Sequence, residues 1–338
     1  MFSTKGLGAM AKRRARGLVL SRQMLALVIG MGASICSVAA DFPTRPIRII
    51  VPYAPGGASE TMARLVAERI SQSLKQPVLI DNRPGGGTVI GASIVAQAPA
   101  DGYTLFVNAS SYVINSHLIT KLPYDPWKDF VPLTLAASNP HVLVTSNALA
   151  TKTLAEFLTV SKAKGSTLSY ASFGNGSSGH LAFELLKKTY GFDMVHVPYK
   201  STPQAMTDVM GGQVQAMLTD TPAAVPQAKA GKMMVLAIAS EKRSASLPDV
   251  PTFQEATGTR FLSRSWFGFL VRSGTPADVQ KILYAEIVKA LHAPDLKSRL
   301  NDLGMESIGS TSEEFGTFMK VESERFADAI RFSGTKAE

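Results

Sequence analysis

The chain has 338 residues, 45% of them hydrophobic and 18% charged, with a formal net charge of +9 and a single cysteine. That apolar fraction excludes a wholly disordered polymer, and one cysteine excludes a disulfide-stapled mini-protein. The charge is unevenly placed: residues 1–40 hold six bases and no acid, the rest carries 29 bases against 26 acids, and so no nucleic-acid footprint is expected.

The basic stretch ending at Arg22 runs into an apolar segment from Met24 to Ile35, then small residues up to Ala40. A basic, apolar, small-residue order describes a secretory signal peptide over 1–40, cut before Asp41. The apolar segment falls short of the ~20 residues a membrane-spanning helix needs. Bulky Ile35 before Cys36 departs from a lipid-attachment site, where a small residue belongs. Once Cys36 is removed the mature chain has no thiol, which excludes cysteine nucleophiles, iron–sulfur clusters and thiolate zinc sites.

Beyond the signal, β-branched and apolar runs at 47–51, 78–80, 105–107, 168–171, 195–197, 216–218, 235–239 and 267–271 read as buried strands. Helix-period segments alternate with them. Residues 61–74 place Met62, Leu65, Val66, Ile70 and Leu74 on one face, and 154–164, 181–189, 203–210 and 279–291 are similar. This alternation predicts an α/β fold with parallel sheets built from strand–helix–strand units. The 298 residues after the signal exceed one comfortable core, so two α/β domains are expected.

Four predicted strands end in loops of small, hydroxyl-bearing or amide residues. These are Pro52-Tyr53-Ala54-Pro55-Gly56-Gly57-Ala58-Ser59, Asn108-Ala109-Ser110-Ser111, the run from Ser172 through Gly174, Gly176, Ser177 and Ser178 to His180, and Thr219-Asp220-Thr221-Pro222. Ligands of open α/β sheets sit beyond the carboxyl ends of the strands, and helix N-termini there supply unpaired donors, so a small anion is the natural guest. Any one loop alone reads as a glycine-rich turn with a serine cap. Four together point to a site.

Gly174-Asn175-Gly176-Ser177-Ser178-Gly179 matches the dinucleotide pattern GxGxxG, but the acidic residue that should follow the next strand is missing: Asp193 precedes that strand and Pro198-Tyr199-Lys200 follows it. Ser178 has Gly176 behind it but His180 ahead, which breaks the nucleophile elbow. The five histidines lack ligand spacing, so neither a metal nor a cofactor is expected. Asp220 and His180 meeting Ser177 or Ser178 would form a makeshift triad. That arrangement keeps a secreted α/β hydrolase or transferase as the alternative function.

Several motifs in order resemble the periplasmic solute receptors of tripartite tricarboxylate transporters, the Bug receptors. They include Pro52-Tyr53-Ala54-Pro55-Gly56-Gly57, Asn82-Arg83-Pro84-Gly85, Pro99-Ala100-Asp101-Gly102-Tyr103, Leu122-Pro123-Tyr124-Asp125-Pro126, His196-Val197-Pro198-Tyr199-Lys200, Leu247-Pro248-Asp249-Val250-Pro251-Thr252 and Trp266-Phe267-Gly268. The resemblance covers nearly the whole mature chain. It implies a two-domain, type II Venus-flytrap architecture, crossed by the chain near Pro140 and again near Arg264, with domain 1 at 41–140 plus 265–338 and domain 2 at 141–264. It implies a non-enzymatic, monomeric periplasmic receptor that delivers a small carboxylate to the membrane subunits of a tripartite transporter. The expected ligand-binding set is Tyr53, Gly56, Gly57, Ala58, Ser59, Asn108, Ser110, Ser177, Ser178, His180, Tyr199 and Asp220. Three residues depart from the family pattern: Glu60 where Asp is usual, and Thr88 and Ser201 where Gly is usual. Glu60 either points inward and shortens the pocket or points outward and complements the helix N-terminus.

Overall fold

Ile47–Val51 is a buried strand, β1, in the computed structural model, which describes residues 42–164 and 167–336. The expected signal peptide and its cut before Asp41 lie outside the described residues. β1 leads into helix α1 (Ala58–Leu74), whose stripe of Met62, Leu65, Val66 and Ile70 is buried as its helical spacing requires. Then come β2 (Val78–Asn82), α2 (Val89–Gln97), β3 (Thr104–Ala109), α3 (Ser110–Leu118) and a 16-residue strand, β4 (Phe130–Thr145). The middle of the chain forms α4 (Leu154–Lys164), β5 (Ser169–Ser172), α5 (Ser178–Tyr190), β6 (Val195–Pro198), α6 (Thr202–Met210), β7 (Ala216–Asp220) and α7 (Thr221–Lys229). The last part forms β8 (Met234–Ile238), α8 (Phe253–Thr257), β9 (Arg264–Arg272), α9 (Ala277–His292), α10 (Pro294–Asp302), β10 (Glu306–Ser307) and α11 (Ser312–Ser333). Among the described residues no helix is long and apolar enough to cross a membrane.

The strands join in the order β2-β1-β3-β9-β4-β7-β5-β6, with β8 and β10 also paired to β4. β1 runs parallel to β2 and β3, and β5 runs parallel to β6 and β7, as the strand–helix alternation predicts. The expectation of parallel sheets fails at β4 and β9. These two are antiparallel to each other, β9 is antiparallel to β3, and β4 is antiparallel to β7 and β8. β4 lies along β9 from Phe130 to Pro140, then along β7 from His141 and β8 from Val142. Pro140, opposite Arg264, has no N–H to give a ladder, which suits the point where the strand changes partner.

Alternation along the strands sorts the cores. Leu143, Tyr170, Ala216 and Leu218 face a cluster with Phe157, Phe183 and Phe253. Their neighbours Val142, Val144, Ala171 and Met217 face the opposite cluster, with Met206, Val209 and Val225. A third core gathers Ile50, Phe106, Tyr112, Phe130, Trp266 and Phe315 around the other end of the sheet. Helix α11 is pinned there by its Phe315, which packs so closely on Gly268 of β9 that a Cβ at Gly268 would have no room.

Candidate ligand-binding site

Five helices begin at the carboxyl ends of β1, β3, β5, β6 and β7. β3 passes into α3 at Ser110 and β7 into α7 at Thr221 without an intervening loop. The other three turns need residues 52–57, 173–177 and 199–201. One small cavity, about 30 Å³, is bordered by the N-terminal residues of all five helices: Ala58 and Ser59, Ser110 and Ser111, Ser178, Thr202, and the α7 cap Asp220. The caps of α5 and α6, Ser177 and Ser201, accept from the N–H groups of His180 and Gln204. The caps of α1, α3 and α7 (Gly57, Ala109 and Asp220) make no side-chain cap bond. First-turn N–H groups have no partner within their own helix, so these three ends turn N–H donors toward the cavity, although Glu60 in the first turn of α1 and Asp220 at the α7 cap place carboxylates beside two of them.

The hydroxyls around the cavity are buried. Ser110 Oγ has no hydrogen-bond partner. Ser178 Oγ lies 3.1 Å from Ser265 Oγ and 3.4 Å from His141 Nε2. Asp220 is 5% exposed, and its Oδ1 accepts from Asn139 Nδ2 at 3.0 Å and stands 3.5 Å from His141 Nε2. Burial holds His141 far below the usual imidazole range, at about 4, against the pull of Asp220. Tyr53 reaches the same space. Burial raises its phenol, the Ser111 hydroxyl opposes that shift and the Asp220 charge adds to it. Among the described residues, Asp220 and Lys200 are the only acidic and basic side chains lining this cavity.

Of the twelve expected residues, Tyr53, Gly57, Ala58, Ser59, Ser110, Ser178 and Asp220 border this cavity. Tyr53 also lines an adjoining compartment, where it is joined by Ser177 and Tyr199. Three residues stand outside both. Gly56 shapes the turn at φ +91°, and its N–H donates to Glu60 Oε2 at 3.4 Å. Asn108 is fully buried and turns its amide to Met319 Sδ of α11 at 3.2 Å. His180 accepts from the Gly176 N–H at 3.1 Å and stacks on His196 with ring centres 3.8 Å apart. Its imidazole supports the loop from behind.

Glu60 takes the outward alternative. Oε1 accepts from Arg64 Nε at 2.8 Å and Oε2 from the Gly56 N–H, so the carboxylate closes the first loop and does not line the cavity. Several lining residues were absent from the expected set: Ser111, Phe173, Lys200, Ser201, Thr202, Ser265 and Phe267. Ser265 and Phe267 come from β9, whose antiparallel place in the sheet no local pattern announces. Ser111 and Thr202 could have been found from their positions at helix starts.

The triad needed by the hydrolase alternative does not form. The His180 Nδ1 is taken by Gly176, and Ser177 Oγ meets only the backbone N–H of His180. His141 does approach both Ser178 and Asp220, but through the same nitrogen, Nε2, while its Nδ1 faces Ser263 Oγ at 2.8 Å. A relay needs serine and aspartate on opposite ring nitrogens.

The family model described as "Tripartite tricarboxylate transporter family receptor" matches residues 62–334. The chain is 33% identical over 319 residues to Protein BugT of Bordetella pertussis, an alignment covering 92% of this chain and 98% of BugT. Its structure is similar to that of R. palustris Rpa4515 with adipate, with a TM-score of 0.85 and 30% identity over 87% of this chain and 99% of that one. It is also similar to MatC (Rpa3494) from Rhodopseudomonas palustris with bound malate, with a TM-score of 0.80 and 32% identity over 86% of this chain and 100% of that one.

Proposed function

From the premise that this chain belongs to the tripartite tricarboxylate transporter receptor family, we propose that it captures a small carboxylate in the cavity where its five helices begin. It is a solute-binding receptor and not an enzyme, with the two-domain α/β architecture of periplasmic binding proteins. It is exported by residues 1–40, acts as a monomer in the periplasm, and delivers its ligand to the membrane subunits of a tripartite transporter. Its two lobes are 41–140 with 265–338, and 141–264. The change of partner along β4 at Pro140 supports that division.

The observation that carries the ligand assignment is the convergence of helix N-termini, three of them without a side-chain cap bond. Micromolar affinity is about 8 kcal/mol. Charge-assisted hydrogen bonds at roughly 1.5–3 kcal/mol each reach it with a handful of contacts, without an arginine clamp. That Rpa4515 and MatC were solved with adipate and malate fits this reading.

A thermal-shift screen of carboxylates tests it. A ligand at 100 times its Kd stabilises by about 2.7 kcal/mol, which raises the melting temperature by several degrees in a chain of this size. A panel spanning short and long, aliphatic and aromatic acids that produced no shift would overturn the assignment.

A further inference from the structure

Past Tyr53, Phe173 and Lys200, which line both spaces, the polar cavity adjoins a larger compartment of about 780 Å³. The character of the lining changes there. Pro84, Leu118, Ile119 and Phe173 present apolar surface, and the Tyr199 hydroxyl is already committed to Asp208 Oδ2 at 2.7 Å. Among the described residues no carboxylate lines this compartment, and Lys200, which is exposed, is its one basic side chain.

One wall of the compartment is a strained loop. Gly85, Gly86, Gly87 and Thr88 all have positive φ, and Thr88, at +96°, is a β-branched residue in a conformation that disfavours it. The buried Asn115 amide holds this conformation through bonds to the Gly87 carbonyl and to Thr88 Oγ1, the latter at 3.3 Å. Leu118, on the same helix as Asn115, also lines the compartment and packs against Gly176, where an added Cβ would come within 2.6 Å of Leu118 Cδ1. Strain of this kind persists where surrounding contacts over-determine it, and such places cluster at ligand sites.

Resting on the carboxylate reading above, we propose that the ligand carries one anionic head and an apolar body, alkyl or aryl, which occupies the outer compartment. Leu118 and the Gly85–Thr88 wall determine its size. A compact hydroxydicarboxylate would bring its second charge into a mostly apolar compartment, where Ser111, Asn175 and Ser177 offer neutral groups and, among the described residues, no buried cation offsets the cost of burying a charge. A long dicarboxylate could reach only Lys200, at the solvent edge, where an ion pair contributes little.

Hexanoate and adipate have the same six carbons and differ in the second carboxylate, so calorimetric titration of ligand-stripped protein with both, and with butyrate, acetate and malate, tests the proposal. Hexanoate should bind at least tenfold tighter than adipate or malate. It should also bind about tenfold tighter than butyrate, since each buried methylene is worth a factor of about four. Leu118→Asn should weaken hexanoate at least tenfold and leave acetate within twofold. Adipate or malate binding tighter than hexanoate would overturn the apolar-body proposal and leave the carboxylate reading standing. Equal losses for acetate and hexanoate in Leu118→Asn would also overturn it. Binding of none of these acids would overturn the apolar-body proposal, and the carboxylate reading falls with it only if the wider thermal-shift panel also gives no shift.

Discussion

Asn139 Nδ2 donates to Asp220 Oδ1 at 3.0 Å, joining the strand shared by both ends of the sheet to the carboxylate at the cavity edge. Both residues are nearly inaccessible, so this bond is made in place of water. Asn139→Ala removes the one side-chain hydrogen bond Asp220 Oδ1 accepts among the described residues and leaves the neutral His141 ring 3.5 Å away. The expected loss is about 1–3 kcal/mol in urea unfolding. A change below about 0.5 kcal/mol would show that Asp220 is stabilised from elsewhere.

Ser110 should separate binding from stability. Its buried hydroxyl has no partner in the protein, so it costs desolvation without return until a ligand arrives. Ser110→Ala should leave the melting temperature unchanged or raise it slightly, and should weaken carboxylate binding by about 0.5–3 kcal/mol. A destabilised variant with full affinity would place the hydroxyl in the fold's network and not in the site.

Gly57 caps α1 in ordinary extended conformation, φ −87°, and an added Cβ would meet nothing within 4 Å. A side chain there is neither strained nor blocked by protein; it would occupy the space a ligand needs. Gly57→Val should therefore keep its circular dichroism and melting temperature while losing carboxylate affinity by tenfold or more, a larger loss than Ser59→Ala or Ser178→Ala. Retained affinity would mean the ligand approaches from another side.

Acid should loosen the lobe that carries α5. Burial holds His180 and His141 at about 4 and His196 at about 3, against 6.5 when unfolded. The unfolded chain takes up protons that the fold refuses, so this stability is complete above pH 6.5. It is lost as pH falls from 6.5 through the folded values. Protonating Nδ1 of His180 also removes the acceptor for the Gly176 N–H. In urea titrations between pH 6 and 5, His180→Gln should reduce the pH slope by about 1 kcal/mol per unit relative to the parent. Identical slopes would show that His180 titrates normally in the fold.

The loops at the ends of β1, β3, β5 and β7 were legible because small residues and a helix start follow each β-branched or apolar run, and all four border the cavity. The direction of single side chains was not. Asn108 and Ala109 are neighbours in β3, so they face opposite sides; Ala109 lines the cavity and Asn108 meets Met319. A helix-start histidine gives no sign of which way its ring turns, and His180 turns to His196. β4 was missed because Pro132 and Pro140 interrupt it and Ala136-Ala137-Ser138-Asn139 has no strand-like alternation. Its length comes from pairing with β9 and then with β7 and β8, a tertiary matter.

The most direct measurement of the central claim is a paired calorimetric titration, with the tightest acid of the thermal-shift screen against its own primary amide. The two have nearly the same shape and differ in charge. Two bonds from helix N-termini should each lose about 1–1.5 kcal/mol when the acceptor becomes neutral, so the amide should bind roughly 30-fold to 140-fold more weakly. An amide binding within threefold of its acid would contradict recognition of a carboxylate by the converging helix ends.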